Sequence, residues 1–229
     1  EMKKVIKIIM DIIGSIIGAG FASGKEIYLF FTRYGVYGKI GIVIMSLLVG
    51  CIIYFVLSSV KRYHIQNYYQ FLQIINPKYE KINQLMNIIV NSFLLISFYI
   101  MVAGVGAYLQ QVYQIPIVVS SVFFVIACYI IFQNNVAGVM KMNQIFVPIL
   151  LILIFYLGGK ITYVEEIQVN NFSQALGSSV LYASYNSILL IPLLISLQEF
   201  KIERKQIKKI AIGSSIFLFL LALIISCLL

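Results

Sequence analysis

Charge is scarce in this chain: 11% of its 229 residues are Asp, Glu, Lys or Arg, against roughly a quarter in an ordinary soluble domain. With 61% hydrophobic residues and a mean hydropathy of +0.97, so little charge excludes a water-covered surface. Histidine is nearly absent. His64 stands alone in a polar loop with no cysteine beside it, which argues against a zinc site or a Ser-His pair. The three cysteines, Cys51, Cys128 and Cys227, all lie in apolar runs and are odd in number, so they read as packing residues rather than a disulfide framework. Period-2 alternation is missing, which excludes a membrane barrel. The first apolar run has no small-residue cleavage site at its end, so it reads as a span and not a signal peptide. Acidic residues inside apolar segments are reduced to Asp11 and Glu26. On one unbroken helix they would stand about 22 Å apart, too far to share a proton as a dyad. The chain is therefore read as no enzyme, with no cofactor beyond a coupling Na⁺ or H⁺.

What remains is apolar sequence in long runs. The segments that read as spans are 5–31, 39–60, 83–113, 115–133, 137–157, 172–198 and 207–229, the third and fourth joined by a short turn at Pro116. Hydrocarbon leaves no backbone group unpaired only in helices or closed barrels, so these runs predict an all-α integral membrane protein of about seven transmembrane helices.

The net charge of +9 sits beside the apolar runs and forms no stripe interleaved with aromatics, which points to lipid headgroups and away from nucleic acid. With the N-terminus in the cytoplasm, thirteen Lys and Arg fall on the inner side, from Lys3, Lys4 and Lys7 to Lys208 and Lys209. Only Arg33, Lys39 and Lys160 fall outside, Lys25 lying within the first span. Cytoplasmic loops carry this excess, so a multi-pass protein of the cell membrane with an inner N-terminus is expected. Glu1 ahead of Met2 reads as an added residue or as the edge of a fragment, and an apolar run that stops at Leu229 without a polar tail predicts further sequence at the C-terminal end.

Polar groups inside the spans carry the functional information, because a charge near mid-membrane costs at least ~2.5 kcal/mol and usually faces a cavity or partner. Asp11, Lys25 and Glu26 qualify, all on the first span. Snorkelling or hydration accounts for Asp11 and Lys25 as well as function does; Glu26, between Gly24 and a renewed apolar run, is harder to excuse. The stretch SIIGAGFASGKEI, residues 15–27, admits two readings. Gly14 with Gly18 and Gly20 with Gly24 are small-xxx-small pairs suited to close helix packing. Equally, Gly18, Ala19, Gly20, Phe21, Ala22, Ser23 and Gly24 form a zone where a helix breaks and bares backbone groups to a solute. The sixth span places Tyr182, Ser184, Tyr185, Asn186 and Ser187 mid-run with Pro192 beyond, so it too is a candidate for unwinding, or else for a polar contact in an intact helix. The third span, with Asn87, Asn91 and a small-residue run at 101–107, reads as ordinary packing or as a cavity wall. Interruptions in two antiparallel spans five apart point to a transporter built on inverted repeats. A channel would need rings of charge or carbonyls, which nothing here supplies.

GAGFASGKE (18–26), LYASYN (181–186), KMN (141–143) and Val147-Pro148 together resemble the YkvI-type membrane proteins, of the amino acid, polyamine and organocation transporter superfamily with the LeuT-like fold. The resemblance implies five-plus-five inverted repeats, divided here as 1–158 for the first repeat and 159–229 for the start of the second. It further implies a solute site at unwound parts of the first and sixth spans, Gly18 to Gly24 and Tyr182 to Asn186. Glu26 and Asp11 would then serve coupling or proton transfer. Lys25 departs from that pattern, which favours an uncharged residue, and three further spans would be needed to complete ten. The expected function is secondary transport of a small polar solute such as an amino acid. A non-transporting sensor on the same scaffold is the second reading. A packed scaffold is the third, and continuous helices through Gly20 and Ser184 would favour it.

Overall fold

A computed structural model describes residues 2–17, 21, 24–158 and 171–228, leaving aside the side chains of residues 155, 157 and 158. Every regular element among the described residues is helical. These are α1 (Met2–Ile16), α2 (Lys25–Phe30), α3 (Gly35–Tyr63), α4 (Tyr68–Ile75), α5 (Glu80–Tyr113), α6 (Ile117–Phe132), α7 (Asn135–Gly158), α8 (Phe172–Ser196) and α9 (Arg204–Leu228), with 3₁₀ turns at Thr32–Tyr34 and Leu197–Phe200.

Among the described residues five stretches are long and apolar enough to cross a membrane, namely Lys25–Tyr63, Glu80–Tyr113, Asn135–Ile154, Phe172–Phe200 and Arg204–Leu228. Against the expected count of about seven, the described residues give five by length and composition, and two of the expected spans account for the difference. α1 has 15 residues and carries Lys3, Lys4 and Lys7 at its start. α6 has 16 residues, which at about 1.5 Å each spans about 24 Å of a ~30 Å hydrocarbon core.

The chain packs as two compact units, Glu1–Gln66 with Asn143–Leu229, and Asn67–Met142. In the first unit α3 lies against both α8 and α9, and small residues set how near they come. A Cβ at Gly41 would overlap Ser179 Oγ, and one at Gly50 would stand 2.9 Å from Ser215 Cβ. Ser215 Oγ donates to the carbonyl of Ser46 at 2.7 Å. Lipid tails are as apolar as leucine, so close packing and such bonds, rather than water exclusion, hold these helices together. α1 buries Ile8, Ile12, Ile13 and Ile16 on one side, at the spacing of a single helix face, and meets α8 and α9.

The sixth span is not interrupted. α8 runs as one helix from Phe172 to Ser196, through the Tyr182 to Asn186 cluster where unwinding was expected. The polar side chains turn back on their own helix: Ser179 Oγ donates to Ala175 at 2.7 Å, Ser184 Oγ to Val180 at 2.7 Å, Ser187 Oγ to Ala183 at 2.6 Å and Asn186 Nδ2 to the Tyr182 carbonyl at 2.9 Å. Such bonds to the carbonyl four residues back occupy groups that would otherwise compete for the backbone, so they decorate the helix without opening it. In the first span α1 ends at Ile16 and α2 starts at Lys25, with Phe21 helical between them and residues 18–20, 22 and 23 outside the described residues.

One end of this unit gathers basic side chains. Lys4 Nζ donates to the Lys201 carbonyl at 3.3 Å and Lys61 Nζ to that of Ile202 at 2.8 Å, so the start of α1, the end of α3 and the turn before α9 meet there. Lys201 takes a left-handed backbone with φ 44, which reverses the chain into α9.

The second unit is built on α5 and α6. Asn67 caps α4 by accepting from the Gln70 N–H at 2.9 Å, and Asn83 Nδ2 donates to the Asn76 carbonyl at 2.8 Å to tie the start of α5 to the end of α4. α5 and α6 pack together where a Cβ on Gly106 would meet Ser121 and Ile117. The outer faces are apolar, with Ile88, Ile96, Ile100, Val118 and Phe123 all exposed, a surface suited to hydrocarbon and not to water.

Candidate functional site

Gly24 sets the start of α2. Its φ of 76 lies where a Cβ crowds the following carbonyl at a cost of roughly 1 kcal/mol or more. Its N–H donates to the Phe21 carbonyl at 3.1 Å, and its own carbonyl accepts from the Tyr28 N–H at 2.8 Å. Glu26 thereby falls in the first turn of α2, facing α8. Tyr185 donates its hydroxyl to Glu26 Oε2 at 3.0 Å, and Tyr182 donates to the same oxygen at 3.4 Å.

Aromatic rings close around this carboxylate. Phe30 and Tyr182 have centroids 5.1 Å apart, Phe31 and Tyr182 5.2 Å, Tyr182 and Tyr185 5.2 Å, each edge to face. These separations are those of favourable aromatic pairs, worth about 0.5–1.5 kcal/mol each beyond burial. Tyr182, Phe31 and Phe21 are fully buried. Thr32 Oγ1 donates to Ser226 Oγ at 3.0 Å, fixing the turn after α2 to α9.

Of the residues singled out in the sixth span, Tyr182, Tyr185 and Asn186 share one face of α8, since three and four residues make neighbours on a helix. Ser184 stands on the opposite face, exposed and bonded only to its own helix. It is not part of the cluster, and its two-residue offset from Tyr182 is the reason. Gly18, Ala19, Gly20, Ala22 and Ser23 lie outside the described residues.

Asp11 forms a second polar centre. It is fully buried, accepts from Asn143 Nδ2 at 2.6 Å through Oδ1, and its Oδ2 has no hydrogen-bond partner among the described residues. Gly14, one turn on, makes the contact possible: a Cβ there would stand 2.9 Å from Asn143 Cγ and 3.0 Å from Val147 Cγ2. Asn143 escaped selection as a site residue, although amides within an apolar segment, here Asn143 with Gln144, are a signal of their own. Asn143→Leu is expected to destabilise the protein by about 2 kcal/mol, the cost of stranding a buried carboxylate. The double variant with Asp11→Leu should recover most of that loss, because both polar groups go together. Thermal unfolding of the four proteins in one detergent completes the cycle, and additive losses would mean the pair does not interact.

The five long apolar helices and this buried polar interior define an all-helical protein of the membrane class. Among curated proteins the chain is similar to two from Bacillus subtilis (strain 168). It is 28% identical to the uncharacterized protein YyaD over 152 residues, covering 66% of this chain and 43% of the relative. It is 26% identical to the uncharacterized membrane protein YkvI over 145 residues, covering 61% of this chain and 40% of the relative. The matched region thus spans less than half the length of either. No family model matches, and no solved structure matches. The likeness first drawn from GAGFASGKE, LYASYN and KMN therefore stands as distant similarity to YkvI and YyaD.

Proposed function

We propose that this chain is part of a secondary transporter for a small polar solute, an amino acid or related zwitterion, working by alternating access in the cell membrane with its N-terminus in the cytoplasm. The observation that carries the reading is the Glu26 carboxylate, drawn against Tyr182 and Tyr185 of α8 from the first turn of a helix that starts behind the left-handed Gly24. An apolar helix bundle has no structural need for a carboxylate held by two tyrosines. In this reading, backbone amides of the 18–24 zone receive the solute carboxylate, while Glu26 supplies the counter-charge for its amine or accepts a coupled proton. Asp11, with one buried oxygen unpaired, is the second proton or ion station. Distant similarity to the membrane protein YkvI supports the membrane setting, and the motif resemblance is the basis for the LeuT-like scheme of repeats 1–158 and 159–229.

The continuous α8 through Ser184 favours a packed scaffold, whereas the Glu26 cluster supports two functional readings, transport and a ligand sensor with a transporter-like fold. Flux separates the two. The full-length protein in liposomes is expected to accumulate radiolabelled amino acid under an imposed proton or sodium gradient. Saturable binding without accumulation would establish the sensor and overturn transport.

A further inference from the structure

The basic end of the first unit contains a pocket that the solute-site reading does not use. It lies between the end of α3 and the start of α9, with a cavity volume of ≈ 650 Å³. Five of its eight lining residues are cationic, Lys61, Arg62, Arg204, Lys205 and Lys208, and none is acidic. Tyr54 and Ser58 add hydroxyls on the α3 side. Like charges gathered around a cavity repel one another, so the arrangement is stabilised by an anion that enters it. Arginine pairs offer the planar fork that matches a phosphate.

The surface leading away from the pocket identifies what carries the anion. Along α9, Arg204 and Lys208 are followed at four-residue steps by Ile212, Ile216 and Leu220, all three exposed. Along α3, Arg62 and Ser58 are followed in the other direction by Tyr54, Cys51 and Leu47, the last three exposed as well. Each helix thus presents one stripe that is cationic at the pocket and apolar below it. From Lys208 to Leu220 the α9 stripe runs about 18 Å, close to the ~15 Å of one hydrocarbon leaflet. A soluble phosphate compound has no use for the apolar part, and a neutral lipid has none for the five cations.

We propose that this pocket binds the headgroup of an anionic glycerophospholipid, its phosphate held by Arg62, Arg204 and Lys208 and its acyl chains laid along the α3 and α9 stripes. The lipid would bridge two helices that already pack together, which fixes the bundle's basic end in the headgroup layer.

The test uses the full chain in detergent, titrated with dioleoylphosphatidylglycerol, dioleoylphosphatidylcholine or inorganic phosphate, and read by native mass spectrometry and thermal unfolding. Phosphatidylglycerol is expected to stay bound and raise the melting temperature, with phosphatidylcholine and phosphate ineffective. The triple variant R62Q/R204Q/K208Q should bind phosphatidylglycerol on the order of a hundredfold more weakly. The single variants R204Q and K208Q, each at an exposed position, should lose about fivefold, so the outcome does not depend on the triple variant folding. Equal binding of phosphatidylcholine would overturn the proposal in favour of an unselective apolar groove. An equal shift with inorganic phosphate would overturn it in favour of a soluble anion site, and unchanged phosphatidylglycerol affinity in the variants would place the lipid elsewhere.

Discussion

Replacing Glu26 with Gln is expected to reduce solute uptake about a hundredfold or more while shifting the melting temperature by only a few degrees. The amide keeps the shape and can still accept one tyrosine hydroxyl, so the aromatic cluster of Phe30, Phe31, Tyr182 and Tyr185 retains its packing. What disappears is the negative charge that, in the proposed transport reading, receives the solute's amine or a coupled proton. Tyr185→Phe should do less. It removes the 3.0 Å bond to Glu26, and a bond to a charged group contributes about 1.5–3 kcal/mol, which corresponds to roughly ten- to hundredfold if felt only during transport. Both variants are compared with the parent protein in the same liposomes. Uptake by Glu26→Gln equal to the parent would remove this carboxylate from the mechanism.

Gly38→Val is the variant expected to damage the fold most. A Cβ at Gly38 would overlap the backbone carbonyl oxygen of Phe31, and backbone cannot swing aside as a flexible side chain can. The turn at Thr32–Tyr34 would have to move away from α3, carrying Phe31 off Tyr182 and straining the Thr32 bond to Ser226. Overpacking of this kind costs typically ~1–3 kcal/mol, and the lost aromatic and hydroxyl contacts add to it. A fall in melting temperature of about 10 °C or failure to accumulate in the membrane is expected. By contrast Gly104→Ala, where an added Cβ meets nothing within 4 Å, should be close to neutral in the same assay. Equal stability of Gly38→Val and the parent protein would mean that the Phe31 carbonyl and the turn after it do not sit against α3 as described.

The membrane character of the chain was legible because it depends on composition and run length alone. Glu26 stood out as a carboxylate in an apolar segment, a cost that something must offset, and the structure sets it against the Tyr182 and Tyr185 hydroxyls. The face pairing of Tyr182 with Tyr185 and Asn186 follows from their spacing on a helix, and the same spacing separates Ser184 from them. The reading of the sixth span failed on a different point. Serine and asparagine in a helix are compatible with two outcomes, opening the backbone or bonding to the carbonyl four residues back, and sequence does not distinguish them. Ser179, Ser184, Ser187 and Asn186 all take the second course. Asn143 was overlooked for a related reason: its partner Asp11 is 132 residues away, and no local pattern announces such a pairing.

The self-bonded hydroxyls along α8 also bear on how this protein can move. Each one spends its donor inside its own rod, so α8 slides or tilts as a stiff strut and offers no joint of its own near Tyr182. The Tyr182 and Tyr185 hydroxyls are thereby carried at a set spacing on one rod, a rigid seat for the Glu26 carboxylate.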